Sequence, residues 1–253
     1  MSKLVRACSK TPPDKWLTDT SGVYYAPCTM CGRFAQTTSS EDLVRIFGLA
    51  SRLELSPRFN IAPTQSVVAI RGHDDGRHPH AFRWGFVPSW AKDLGIGNKM
   101  INARSETVFE KRSFSHAARH QRCVIPASGF YEWRETPAGK MPTLFMPKES
   151  PVFCFAGLWS SWADAEGSLV YTTTILTTAA NRIMAPFHHR MPVLLDPRMA
   201  DTWLDPEVTE PASLTPLLRT APPDGIQLRP VSKRVNNVRN DDPTCWENAT
   251  SSQ

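Results

Sequence analysis

The chain has no long apolar run. No stretch approaches the ~18 residues that a membrane-crossing helix needs, so no transmembrane helix is indicated. The first thirty residues carry Lys3 and Arg6 but lack the continuous hydrophobic core of a signal peptide, which makes a cytoplasmic protein the default. Cysteine is sparse as well. The six residues Cys8, Cys28, Cys31, Cys123, Cys154 and Cys245 are scattered, and with no sign of secretion a disulfide framework is not expected. Cys28-Thr29-Met30-Cys31 spells C-x-x-C, yet it lacks the second pair or histidine cluster of a zinc site and the strand-to-helix context of a redox motif. That spacing is read as coincidence. There is also no internal repeat and no obvious mid-chain linker, so the globular part is expected to be one domain.

What is present is enough apolar residue for a sizeable core, 41% of 253 residues, under a net charge of +5. The charge points only weakly toward a polyanionic partner. Residues 1–29 hold Pro12-Pro13 and the turn formers Asp19-Thr20-Ser21-Gly22 with little apolar periodicity. They read as a disordered extension, a prosegment or a mis-assigned start. A domain is expected over 30–242, followed by a disordered tail over 243–253.

Within the domain, a short strand through Phe34 leads to a cap at Ser39 or Ser40 and a helix over 41–47 that ends near Gly48. The prolines of Pro57–Thr64 predict a fixed loop. Strands are expected at 67–70, 81–87, 122–125, 130–133, 144–146, 153–157, 170–176, 193–195 and 226–231, and helices at 106–120, 179–184 and 199–204. Many short strands with interspersed short helices indicate an α+β protein with a curved, barrel-like sheet.

The most unusual local feature is Met30-Cys31. An initiator methionine is usually trimmed before a small residue. Cys31 would then carry a free α-amine, titrating near ~7.7–8.0, beside a thiol near ~8.5. Such a 1,2-aminothiol condenses with an aldehyde to an imine and then a five-membered thiazolidine; an internal cysteine cannot. The plain alternative is a buried small hydrophobe. Glu132 lies inside the aromatic run Gly129–Trp133, where alternation turns it away from the facing of Tyr131 and Trp133, toward either solvent or a pocket. In a pocket it can shuttle protons. His188-His189 beside Arg190 and a proline-fixed turn is a better site candidate than a lone histidine. Neither this pair nor His116/His120 has the partners of a metal site, and no metal or cofactor is expected.

Seven stretches in order are C-G-R-F after Met30, R-F-N-I-A-P-T at 58–64, R-W-G-F-V-P-S-W at 83–90, I-N-A-R-S-E-T at 101–107, P-A-S-G-F-Y-E-W at 126–133, F-H-H-R-M-P-V at 187–193 and V-S-K-R-V-N-N-V at 231–238. Together they resemble the SRAP family, the SOS-response-associated peptidases or abasic-site-processing proteins. The resemblance implies a single SRAP-like domain with a curved β-barrel-like sheet and flanking short helices. Its implied activity is abasic-site sensing in single-stranded DNA through a covalent crosslink to an N-terminal cysteine. It further implies Cys31 as nucleophile, Glu132 as acid/base, His188 at the sugar ring oxygen, and Asn102 holding the cysteine amine and sugar oxygen. Arg33, Arg104, Arg112 and Arg190 would grip phosphates, Trp90 and Pro63 would form a wedge that stacks on bases, and Asn60 would fix the wedge loop within the DNA-binding set. His189 stands where relatives often carry aspartate, and its role is left open. A monomer near the nucleoid is the expected working form, with weak lyase or autoproteolytic activity as possible accompaniments. Two rival classes stay in view: an N-terminal-nucleophile amidohydrolase of the glutamine amidotransferase type, and a non-catalytic single-strand-binding protein.

Overall fold

The computed structural model describes residues 32–137 and 139–249. Cys31, the extension over 1–29 and the last four residues lie outside them. The strands are β1 (Phe34–Gln36), β2 (Arg58–Ile61), β3 (Ser66–His73), β4 (Gly76–Trp84), β5 (Asn102–Arg104), β6 (Arg122–Ala127), β7 (Gly129–Thr136), β8 (Gly139–Pro147), β9 (Phe153–Ala163), β10 (Leu169–Ala179), β11 (Arg190–Pro192), β12 (Leu194–Leu195) and β13 (Ile226–Pro230). The helices are short: α1 (Ser40–Phe47), α2 (Ser115–His120), α3 (Pro197–Leu204) and α4 (Pro211–Leu214).

Five strands close on themselves. β10 pairs in parallel with β4, and antiparallel pairings then run β4 to β3, β3 to β6, β6 to β9 and β9 back to β10. The result is the barrel of the α+β fold that the sequence predicts. A second, antiparallel sheet in the order β13-β8-β7-β1-β2 lies against it. Register assigns the barrel faces. The pairs Val67↔Phe82 and Ile125↔Phe155 belong with Trp84 and Ile175 to one buried cluster, the barrel interior. Ile70, Val124, Ala156 and Leu176 point the other way and pack with Leu43, Phe47, Ala117 and Trp203 from α1, α2 and α3. The interior cluster continues into Phe34 and Phe130 of the second sheet, with Phe34 edge-on to Trp84 at 5.0 Å and to Phe155 at 5.9 Å. The second sheet therefore seals one end of the barrel. Burial of these faces, each apolar pair excluding water, is the main force holding the two sheets together.

Local signals account for several boundaries. Ser39 caps α1 by accepting from the Asp42 N–H, and Gly48 ends it at φ 59°, where its N–H donates to Val44 O. Gly72 is required by close approach, since a Cβ there would lie 2.0 Å from the Leu204 carbonyl oxygen at the end of α3.

Four expectations are corrected. The fixed loop at 57–64 contains β2, because Pro57 and Pro63 bracket the strand rather than interrupt it and β2 lies at the sheet edge. The single helix at 106–120 is replaced by a 3-10 turn at Ser105–Thr107, further turns and α2. Val108 and Phe114 both enter the outer core, and a straight helix would set them about 120° apart. The helix at 179–184 does not form. β10 extends to Ala179, paired with Arg190, and the Asn181 side chain then accepts from the Ile183 and Met184 N–H groups to make a turn. Finally, part of the expected tail is built into the domain. Pro243–Trp246 forms a 3-10 turn, Cys245 is fully buried, and the Trp246 Nε1–H donates to the Tyr131 hydroxyl at 2.7 Å.

Candidate DNA-reactive site

The candidate residues converge on the sealed end of the barrel through two sets of strands. On the second sheet, the Tyr131 N–H donates to Arg33 O at 3.0 Å, continuing the Phe34↔Phe130 register. That pairing runs Arg33 and Gly32 alongside Tyr131 and Glu132. Glu132 is buried, opposite the buried Thr143 of β8. Of its two sequence readings, pocket-facing rather than solvent-facing is the one that burial supports. On the barrel, the end of β10 is flanked by β5 in parallel, with Ile175↔Asn102 and Thr177↔Arg104, and by β11 antiparallel, with Ala179↔Arg190. Asn102, Arg104 and Arg190 are thereby assembled around one strand end.

Two aromatic contacts tie these sets together, Phe34 of the second sheet edge-on to Trp84 and Phe187 edge-on to Phe145. The Trp84 indole N–H donates to Ile101 O at 2.9 Å, anchoring the residue before Asn102 to the barrel interior. Phe187 lies edge-on to Phe145 at 5.0 Å, and Phe145 stacks on its register partner Phe130 at 4.9 Å. His188 follows Phe187 directly, so this aromatic stack docks it on the sheet that carries Glu132.

His188 is 9% exposed, and its Nδ1 accepts from the Arg190 backbone N–H at 3.0 Å. An accepting Nδ1 leaves the ring proton on Nε2, so the neutral imidazole presents a donor on its other side. Burial first, and the stacked His189 ring 4.3 Å away second, push the His188 pKa down to about 4. At neutral pH His188 is a hydrogen-bond donor, not a cation.

The arginines differ. Arg33 Nη1 donates at 2.7 Å to both Asn60 Oδ1 and Val235 O, with its guanidinium 5.5 Å over the Trp133 ring. Burial lowers its pKa from the usual range. Arg190 is held in a fork by Glu106, with one contact at 2.8 Å, and donates to Thr177 O at 2.5 Å. That pairing draws the Glu106 carboxyl below the usual range. To grip a phosphate, Arg190 must first leave Glu106. Arg104 is exposed at the end of β5. Arg112 lies 5.1 Å over the ring of Trp90, which is 51% exposed, so these two make a flat cationic and aromatic platform on the surface. Pro63 is half-buried beside Thr64, the one non-glycine residue with positive φ (73°) among the described residues; the Thr64 N–H is tied to Trp84 O at 2.8 Å.

Asn60 is corrected. It is fully buried, its Nδ2 donating to Val235 O, Asn237 O and Asn240 O and its Oδ1 accepting from Arg33. Both polar atoms of its side chain are engaged inside the protein, where they position Arg33 and the 235–240 segment. Its partner in this task went unassigned in the sequence. Asp241 accepts from the Phe59 and Asn60 N–H groups and pairs with Arg58. Glu106 and Phe187 stand inside the motifs at 101–107 and 187–193, but their roles depend on contacts that only the fold creates. Among the described residues no group of three or more His, Cys, Asp or Glu side chains is arranged to hold a metal.

Known proteins match along most of the domain. The family model described as SOS response associated peptidase (SRAP) matches residues 30–238. The abasic site processing protein YoqW of Bacillus subtilis is 40% identical over 222 residues, covering 86% of this chain and 99% of that protein. The abasic site processing protein HMCES of Gallus gallus is 35% identical over 260 residues, covering 85% of this chain and 77% of that one. A crystal structure of a protein from Bacteroides thetaiotaomicron superposes with a TM-score of 0.79 at 26% identity, covering 87% of this chain and all of that one. The family match over residues 30–238 and the relatives' identity over most of the chain agree with the barrel and the motif order: the chain belongs to the SOS response associated peptidase (SRAP) family.

Proposed function

We propose that the protein senses abasic sites in single-stranded DNA and captures them covalently through Cys31. The observation that carries this reading is the neutral, buried His188, which offers an Nε2–H donor at the same barrel end as Glu132, Asn102 and Arg33. That end is one residue from the 1,2-aminothiol that Cys31 has once Met30 is removed. Relatives named as abasic site processing proteins support the substrate class.

In this mechanism His188 hydrogen-bonds the deoxyribose ring oxygen as the hemiacetal opens to the aldehyde. The Cys31 amine adds to C1′, Glu132 carries a proton to the departing hydroxyl, and water leaves as the imine forms. The thiolate then adds to the imine carbon while the nitrogen takes a proton, closing the thiazolidine. One water is released overall and no oxidant or reductant is consumed. Asn102, able both to donate and to accept, holds the amine and the sugar oxygen. Arg33, Arg104 and Arg190 meet the flanking phosphates, and Trp90 with Arg112 stacks against a neighbouring base. A slow lyase step can leave from the same imine. The free amine arises by initiation at Met30 or by cleavage of the Met30–Cys31 bond, and mass measurement of the purified protein distinguishes the two.

The test is incubation of Met30-start protein with single-stranded DNA carrying one abasic site. A band that survives denaturation in wild type and disappears in Cys31→Ala is expected. Absence of any stable adduct, with wild type and Cys31→Ser binding the DNA equally, would leave only a non-catalytic binder.

A further inference from the structure

Among the described residues no sheet seals the other end of the barrel, and that end carries chemistry the proposed reaction does not use. On one face of the β3–β4 hairpin, register stacks Val67↔Phe82, Ala69↔His80 and Arg71↔His78 from the barrel interior outward. Phe82 is 2% exposed, whereas Arg71, His78 and His80 are half-buried. Trp159 of β9 and Tyr171 of β10, the strand next to β4, approach Phe82 at 6.2 and 6.3 Å and each other at 6.4 Å. Tyr171 is 41% exposed, and Leu169, two residues earlier on the same face of β10, is 60% exposed.

Arg71 is the unpaired charge at this mouth among the described residues. The Arg71 guanidinium rests 4.9 Å over the Trp159 ring and has no salt-bridge partner among the described residues, and its buried Nε has no hydrogen-bond acceptor. The neighbouring His80 is pushed below its ordinary pKa by burial first, then by the charges of Arg71 and His78. None of the nearby acids pairs with Arg71: Asp75 at the hairpin tip accepts from His73 and His78, each at 2.9 Å, Asp164 accepts from the Glu166 and Ser168 N–H groups in the β9–β10 turn, and Asp74 and Glu166 are exposed in those two turns. A fork of unpaired N–H donors beside exposed aromatic edges matches one ligand chemistry, a planar π-system joined to an anion.

We infer that the open mouth of the barrel is a second contact for the same DNA strand, in which an undamaged nucleotide stacks on Tyr171 and sets its phosphate on Arg71. The spacing sets the least length of strand required, since Thr172–Thr178 of β10 are buried and the DNA must pass around the barrel. Tyr171 lies four residues before Ile175, the register partner of Asn102, which at ~3.3 Å per residue is roughly 13 Å along β10. A single nucleotide at the reactive site does not span that distance, but a flanking segment does. This inference rests on the proposed function only for the identity of the strand.

Binding is measured by fluorescence anisotropy with undamaged oligothymidylate of about 15 nucleotides, near the upper end of single-strand site sizes. The protein is full-length Cys31→Ala, so no adduct contributes. Arg71→Gln and Tyr171→Ala are each expected to weaken binding about tenfold, and Arg71→Gln to reduce the salt slope by about one counterion. In the Met30-start protein that keeps Cys31, adduct yield at saturating abasic DNA is expected to equal that of wild type in both variants, and thermal melts confirm that both fold. Wild-type affinity in both variants overturns the inference. So does saturable binding of thymidine monophosphate that Arg71→Gln abolishes while oligonucleotide affinity is unchanged, since the mouth would then serve a free nucleotide. If weakened binding is found but wild type forms no adduct, the covalent reading fails and this one stands.

Discussion

Protonating His188 should cost the fold most of what its burial now conceals. The unperturbed imidazole titrates near ~6.5, and in the folded protein the value is pushed down to about 4. Because the folded value is the lower one, the unfolded chain binds more protons in the interval, and stability falls as pH falls. The contribution of His188 is fully present above about pH 6.5, declines between about 6.5 and 4, and levels off below. A difference of about 2.5 pH units corresponds to about 3 kcal/mol at pH 4, with a slope of at most about 1.4 kcal/mol per pH unit. The cause is local: a ring 9% exposed must take a charge beside His189 and Arg190, and its Nδ1 must give up the Arg190 N–H. The perturbation is His188→Gln, and the assay is urea unfolding of both proteins at several pH values between 7.5 and 4. Subtracting the two curves removes the common acid dependence of the carboxylates. Wild type should lose about 3 kcal/mol more than the variant across this range. Parallel curves would refute both the burial argument and the neutral donor on which the proposed chemistry relies.

Two further outcomes follow from packing. Asn60→Ala strands the Val235, Asn237 and Asn240 carbonyls and one Arg33 contact in a buried site, so a loss of about 3 kcal/mol is expected, read as a fall of roughly 6–12 °C in melting temperature by calorimetry. Trp90→Ala removes a side chain that is half exposed and touches Arg112, so stability should change by less than about 0.5 kcal/mol, whereas affinity for single-stranded DNA by anisotropy should drop about tenfold.

Arg190 and Asn60 show how a motif can locate a residue without disclosing its work. Both stand in stretches that mark the family, and in both the side chain is engaged inside the protein, Arg190 by Glu106 and Thr177, Asn60 by the 235–240 segment. Sequence distance explains the gap. Glu106 lies 84 residues from Arg190, and Val235 lies 175 from Asn60, so no local pattern reports the pairing.

By itself the sequence determined the α+β class, most strand positions, the cap and stop of α1, and the ordered motifs that carry the family, because each depends on local chemistry: alternation, a capping hydroxyl, a glycine free to adopt positive φ. Only the tertiary structure decided that the barrel closes through a parallel β10–β4 pair and that a second sheet seals one of its ends. It also decided that Glu132 is buried, that His188 is held neutral with Nε2–H outward, and that Arg71 is left unpaired at the far mouth. Those properties arise from burial and from partners distant in the chain, and a residue's charge state is set by what surrounds it in space rather than by what precedes it in sequence.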